Sequence, residues 1–213
     1  MSTINKQTAA FISAMCTCLP AGLTGEKMQK WMGNPTRLQE VLEALILDEV
    51  DKDFPIWKTI KIGTGPKNAG DFRKVLKKAG SNISDWANDI LGKSAFEASV
   101  STTENEVDLV NLSVRELGFK EGASIKEIYE QAIKLGLDLC PAEVGPQLRL
   151  QYQDQPRGEW IIIAMEPITD SDGDLEVFHV ECGDDGGLWL SSYYGHAGRF
   201  YNADHRFVFL RRK

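Results

Sequence analysis

Residues 124–153 read SIKEIYEQAIKLGLDLCPAEVGPQLRLQYQ, and the spacing of apolar side chains changes inside this stretch. Ile125, Ile128, Ala132 and Leu135 recur every three to four positions, the period of a helix with one buried face. Ser124 and Glu127 have capping-box spacing, and Gly136 supplies a stop. Further on, Leu148, Leu150 and Tyr152 alternate with Arg149, Gln151 and Gln153, the two-residue period of a strand. This predicts helices before about Leu148 and sheet after it.

Working outward toward the end, Glu159–Met165, Leu175–Glu181, Gly187–Leu190 and His205–Leu210 read as further strands. Pro156-Arg-Gly158, the Asp/Gly run 170–174 and the Gly/Asp run 183–187 carry the turn chemistry between them. Toward the front, apolar spacing predicts helices from about residue 4 to Leu19, along Leu38–Ile46, over Phe72–Ala79 and over Ile83–Leu91. Ile56–Ile62 and Val107–Leu112 read as short strands. The fold class expected is α+β, an N-terminal helical part followed by a helix and a meandering antiparallel sheet of about five strands. The Ser/Thr/Glu-rich residues 97–105 are the expected linker, between a domain at 1–96 and another at 106–213.

Several strings are distinctive: Trp57-Lys-Thr-Ile-Lys-Ile-Gly-Thr-Gly65, Ile83-Ser-Asp-Trp-Ala-Asn-Asp-Ile-Leu-Gly-Lys93 and Leu137–Tyr152, with Gly158-Glu-Trp160 and Ala164-Met-Glu-Pro-Ile168. In these the chain resembles a family of uncharacterised bacterial proteins, from about residue 55 onward. The resemblance implies a bacterial, cytoplasmic protein. It supplies no activity, cofactor or catalytic residue.

Composition narrows the classes. A chain of 213 residues, 42% hydrophobic and 26% charged, has what a packed core needs. Its longest apolar run, Ile161–Met165, is far short of the roughly 20 residues that cross a bilayer. Residues 8–22 suit a packed helix better than an export signal, because Ser13, Thr17 and two cysteines interrupt them. Cys16, Cys18, Cys140 and Cys182 are too few and too poorly spaced for a disulfide framework or a zinc site, so buried reduced thiols are expected. The net charge of −7 lies in the back half, which argues against nonspecific binding of nucleic acid or anionic membrane through that half. No cofactor fingerprint, nucleophile elbow or phosphate loop is present.

Four groups of residues could carry function. Arg73, Lys74, Lys77 and Lys78 form one basic helix face, the candidate for docking on an acidic protein partner. Nucleic acid is disfavoured there, because Asp85 and Asp89 sit on the following helix and repel phosphate. Tyr193, Tyr194, Phe200 and Tyr201 are expected in a glycine-containing loop, a second candidate contact surface. Glu143, Arg149 and Glu166 are the acid/base trio a small hydrolase would need if they shared a cleft. Asp170, Asp172 and Asp174 have the alternate spacing of a calcium loop, but Leu175 stands where such a loop needs glycine, so a hairpin turn is expected instead. His179, His196 and His205 are expected to be isolated rather than to form a metal site with Cys182. A binding module for a protein partner and a small hydrolase both remain open, and the sequence gives no oligomeric state.

Overall fold

The computed structural model describes residues 54–212, with Gln29 and Gly33 as isolated positions. The chain divides into two compact units between Val50 and Asp51, and nearly all described residues belong to the second. The helices expected up to Leu19 and along Leu38–Ile46 lie outside the described residues, as do Cys16 and Cys18.

The second unit is built on a nine-stranded sheet. Its elements are β1 (Lys58–Ile62), α1 (Ala69–Lys78), β2 (Asn82–Ile83), α2 (Asp85–Leu91), α3 (Ser94–Ser99), β3 (Asn105–Ser113), β4 (Ala123–Ser124) and α4 (Ile125–Lys134). They continue with β5 (Leu137–Asp138), α5 (Val144–Gln151), β6 (Trp160–Ile163), β7 (Ile168–Thr169), β8 (Leu175–Cys182), β9 (Leu188–Tyr194), β10 (Phe200–Tyr201) and β11 (Arg206–Arg211). The strand order is β1-β3-β11-β6-β8-β9-β2, with β5 flanking β11 and β7 flanking β8. The class is α+β, as the change of period implies. The sheet is mixed rather than wholly antiparallel, since β11 runs parallel to β6 and β2 parallel to β9.

Local signals account for many boundaries. Asn68 caps α1 and Ser84 caps α2, each accepting a first-turn N–H. Ser124 and Glu127 close the full capping box of α4. Ser113 and Glu116 make the same reciprocal bonds, yet the chain there forms only a turn before Gly118.

Two expectations give way. Residues 97–105 do not separate domains: they run from α3 into β3, and β3 pairs with β1 from the other side of that stretch. Leu148–Tyr152 is not a strand but the end of helix α5. Five alternating residues fit either period, and the residues before them decide the outcome. Pro146 falls in the first turn, where its missing N–H is no loss. Every residue from Val144 to Arg149 is buried, so Arg149, a polar member of the alternation, is enclosed along with Leu148. Gln151 then serves β1 as a neighbouring strand would. Its side chain accepts from Lys61 N–H at 2.9 Å and donates to Lys61 C=O at 2.8 Å.

Both faces of the sheet are covered. On one, Phe178 meets Phe96 of α3 and Phe96 meets Phe72 of α1, edge to face. On the other, Phe207 packs edge-on against Tyr129 of α4, whose hydroxyl donates to Met165 C=O at 3.0 Å. Among the described residues no helix is long and apolar enough to cross a membrane.

Helix α5 lies so close to the sheet that a Cβ on Gly145 would meet the Phe178 side chain at 2.8–2.9 Å. Gly145→Ala should therefore cost about 1–3 kcal/mol through overpacking. Urea unfolding reads this as a lower midpoint at unchanged slope; an unmoved midpoint would show that the packing is looser than described.

Candidate functional site

The hydrolase trio does not assemble. Glu143 is fully buried at the head of α5, and its carboxylate accepts from Gly63 N–H (2.7 Å), Ser101 N–H (2.7 Å) and Gln147 Nε2 (3.1 Å). Arg149, also fully buried, donates to Gln155 Oε1 and to the carbonyls of Tyr152 and Glu181. Burial lowers its pKa to about 10. Glu166 lies exposed between β6 and β7. Two of the three are structural pins and the third stands apart in solvent.

The basic helix face is partly engaged. Arg73 binds α2 through Asn88, with Nε to Oδ1 at 2.6 Å and Nη2 to the carbonyl at 2.8 Å. Lys74 pairs with Asp71 at 3.6 Å on open surface, where such pairs contribute little. Lys77 and Lys78 are exposed in the last turn of α1, the end a positive charge suits.

The aromatic group is not a loop. Tyr193 and Tyr194 end β9, while Phe200 and Tyr201 form β10, paired with β4. Tyr201 is fully buried, and its hydroxyl donates to Tyr194 C=O at 2.7 Å. Phe200 is 56% exposed and lies over Gly122, away from the other two tyrosines.

The acidic turn behaves as hairpin chemistry. Asp170 Oδ1 accepts from Asp172 N–H and Asp174 N–H at 2.9 and 2.8 Å, bridging β7 to β8. Among the described residues no three His, Cys, Asp or Glu side chains are placed to share a metal ion. His179 and His205 both pack on Trp160, whereas His196 Nε2 lies 3.3 Å from Asp174. Burial lowers the pKa of His179, an effect that Glu181 at 3.6 Å partly offsets. Cys140 and Cys182 are free and buried.

What the fold does bring together is the acidic turn and the tyrosines. Asp170, Asp174, Glu176, Ser192, Tyr193 and Tyr194 line one hollow of about 100 Å³, closed on the far side by Trp86 of α2. Its walls are fastened. Asp89, one helical turn beyond Trp86, accepts from Ser171 N–H and Ser171 Oγ, both at 2.7 Å. Lys93 reaches the same Ser171 Oγ at 2.6 Å and pairs with Asp89 at 3.1 Å. The helix bearing Trp86 is thus tied to the turn bearing Asp170 and Asp174.

The hollow is unusual in its polarity. Trp86 is 50% and Tyr194 46% exposed, although large aromatics normally bury more. Glu176 is only 5% exposed, and among the described residues no cationic side chain lies within ion-pair distance of it. Burial pushes its pKa up; Ser192 beside it pulls down, Asp170 and Asp174 push up again, and His196 pulls down. Ser192 Oγ is itself buried, and the Ser192 side chain is the hydrogen-bonding neighbour that pulls the Glu176 pKa down. The arrangement offers negative charge and aromatic faces to whatever enters.

Sequence reasoning placed Trp86 on the buried stripe of its helix and passed over Glu176. A signal was present: Glu176 shares strand parity with the core residues Phe178 and Val180, and an acid on a core face calls for a reason. A wider groove of about 620 Å³ runs along Phe54–Trp57 and Val110–Leu112, rimmed by Glu116 and Arg206. Its polar groups already satisfy one another, Arg206 binding Asn111 and lying 3.4 Å from Glu116. Comparisons with protein families, with curated proteins and with solved structures return no match for this chain.

Because Glu176 titrates at higher pH in the fold than in the unfolded chain, ionising it costs stability. The contribution of Glu176 alone should become less unfavourable as pH falls toward the usual carboxylate range, and Glu176→Gln should be the more stable protein near pH 7. Thermal unfolding from pH 4.5 to 8 should show the variant's advantage growing with pH. A variant less stable at every pH would assign Glu176 a structural role instead.

Proposed function

We propose that this chain is a non-enzymatic binding module for a protein partner, and that the hollow between Trp86 and Glu176 receives a basic side chain of that partner. The observation that carries this reading is Glu176: a nearly buried acid with no cationic side chain within ion-pair distance among the described residues, in a cavity bordered by Trp86 and Tyr194. A guanidinium or ammonium group entering there would gain a charge-assisted hydrogen bond and a ring face together. Size points the same way. A cavity of about 100 Å³ is well below the roughly 300–1,000 Å³ that encloses a small-molecule ligand, so it suits a head group whose remainder stays outside. The acidic charge of the back half would steer a basic partner toward it.

The chain itself supplies a precedent for the chemistry. Arg199 lies 5.0 Å from the Tyr193 ring centre and 5.7 Å from that of Tyr194, and its Nη2 donates to Tyr193 Oη at 2.6 Å. The basic face of α1 is left as a secondary contact, since Arg73 already binds α2.

The test uses Ac-Val-Arg-Val-Thr-amide and its citrulline counterpart, which keeps the shape and loses the charge. Titration of the full chain, followed by tryptophan emission, should saturate with the arginine peptide and be about tenfold or more weaker with citrulline. Glu176→Gln should remove that discrimination, and Trp86→Ala should weaken binding about two- to fivefold. Equal affinity for the two peptides, or an unaltered Glu176→Gln titration, would overturn the proposal.

A further inference from the structure

The hollow opens on an edge of the sheet, and the direction of the backbone there says more about its occupant. Beyond β9 in the strand order lies only β2, which is two residues long and pairs with Trp189 and Leu190. Ser84 N–H adds one bond, to Leu190 C=O at 3.0 Å. After that the chain turns into α2 and leaves the edge of β9. The Leu190 carbonyl therefore faces outward, and strand alternation turns the backbone groups of Ser192 and Tyr194 to the same side. Gly195 N–H, of the other parity, donates inward to Leu175 C=O, as that alternation requires. Tyr194 C=O is already used by the Tyr201 hydroxyl. Among the described residues no strand lies against the remaining groups, Ser192 N–H, Ser192 C=O and Tyr194 N–H.

Unpaired strand edges of this kind usually carry protection: a lysine, a proline, a bulge or a covering helix. Residues 191–194 are Ser-Ser-Tyr-Tyr and carry no charge or proline. On the far side of β1, by contrast, the Gln151 side chain occupies the edge groups of Lys61. At Ser192 and Tyr194 the cover is partial, with the Tyr201 hydroxyl on Tyr194 C=O and Trp86 of α2 across the hollow, and the two residues line that hollow with Glu176.

We infer that the partner binds as an extended segment added to β9 beyond the end of β2, with a basic side chain directed between Trp86 and Glu176. This rests on the reading of the hollow as a cation seat and adds the mode of binding. Main-chain bonds to Ser192 and Tyr194 would contribute affinity with little regard to sequence, while the hollow would select the residue at one position. Because strand side chains alternate, the residues on either side of the basic one would face away from the hollow. Negative charge from Asp170, Asp174 and Glu176 sets the sign of that residue.

The experiment compares Ac-Val-Arg-Val-Thr-amide with two analogues methylated on backbone nitrogen, one at each alternate set of residues. Methylation deletes the N–H and obstructs one edge while leaving the arginine side chain intact. The inference expects one of the two analogues to lose about tenfold or more in affinity and the other to bind like the parent. It also expects the parent to slow hydrogen exchange at the Ser192 and Tyr194 amides specifically. If both analogues bind like the parent and those amides exchange as before, the strand-addition reading is overturned while the cation seat stands. If the parent itself fails to bind, both fall together.

Discussion

The carboxylate of Glu143 gathers three separate stretches of chain in the interior. It accepts from Gly63 at the end of β1, from Ser101 between α3 and β3, and from Gln147 one turn along its own helix. Without it the buried Gly63 N–H would lose its acceptor, at about 1–3 kcal/mol, and the part-buried Ser101 N–H would lose its own. At the other end of α5, Arg149 holds the carbonyls of Tyr152 and Glu181, joining the helix to β8. An acid at the head of a helix and a base in its last turn are the signs the helix dipole favours. Helix α5 is thereby fixed across the sheet, and the other helices on that face pack around it. Gly63 is further required at that place because a Cβ there would collide with Thr103 C=O.

The hollow inherits its shape from this arrangement. Helix α2 stands where Arg73 and the bonds from Asp89 hold it, and so Trp86 faces the end of β9 instead of the core. Glu176 then occupies a core-side strand position where burial disfavours its charge, which works against stability. Such cost concentrates where a protein does something besides fold. The buried acids Glu143 and Glu176 make the contrast plain: one accepts three hydrogen bonds and serves the architecture, the other is raised in pKa by its burial and by the neighbouring acids Asp170 and Asp174.

How far the sequence shows this depends on whether the deciding contacts are local. The capping box Ser124–Glu127, the Asn68 and Ser84 caps and the strands β3, β6, β8 and β11 are written in short spans, and the α+β class follows from them. The helix α5 is misread because Leu148, Leu150 and Tyr152 alternate by coincidence, and only a buried Arg149 separates the alternatives. The segment 97–105 looks like a linker because its polar residues are shared between a helix end and a strand start. Parallel pairing of β6 with β11 joins residues more than forty apart, which no local period records. The hollow draws on three separated stretches, around Trp86, Asp170–Glu176 and Ser192–Tyr194. Each looks like an ordinary helix, turn or strand by itself, and their meeting is a property of the sheet order alone.

Amide hydrogen exchange at Gly63 and Ser101, compared between the wild type and Glu143→Ala, addresses the central claim most directly. If the buried carboxylate holds these segments together, both amides exchange slowly in the wild type. In the variant they lose protection before the β8 and β9 amides do, along with a fall in overall stability. Fast exchange at both positions in the wild type, or protection unchanged by the substitution, would contradict the claim that α5 is pinned through Glu143.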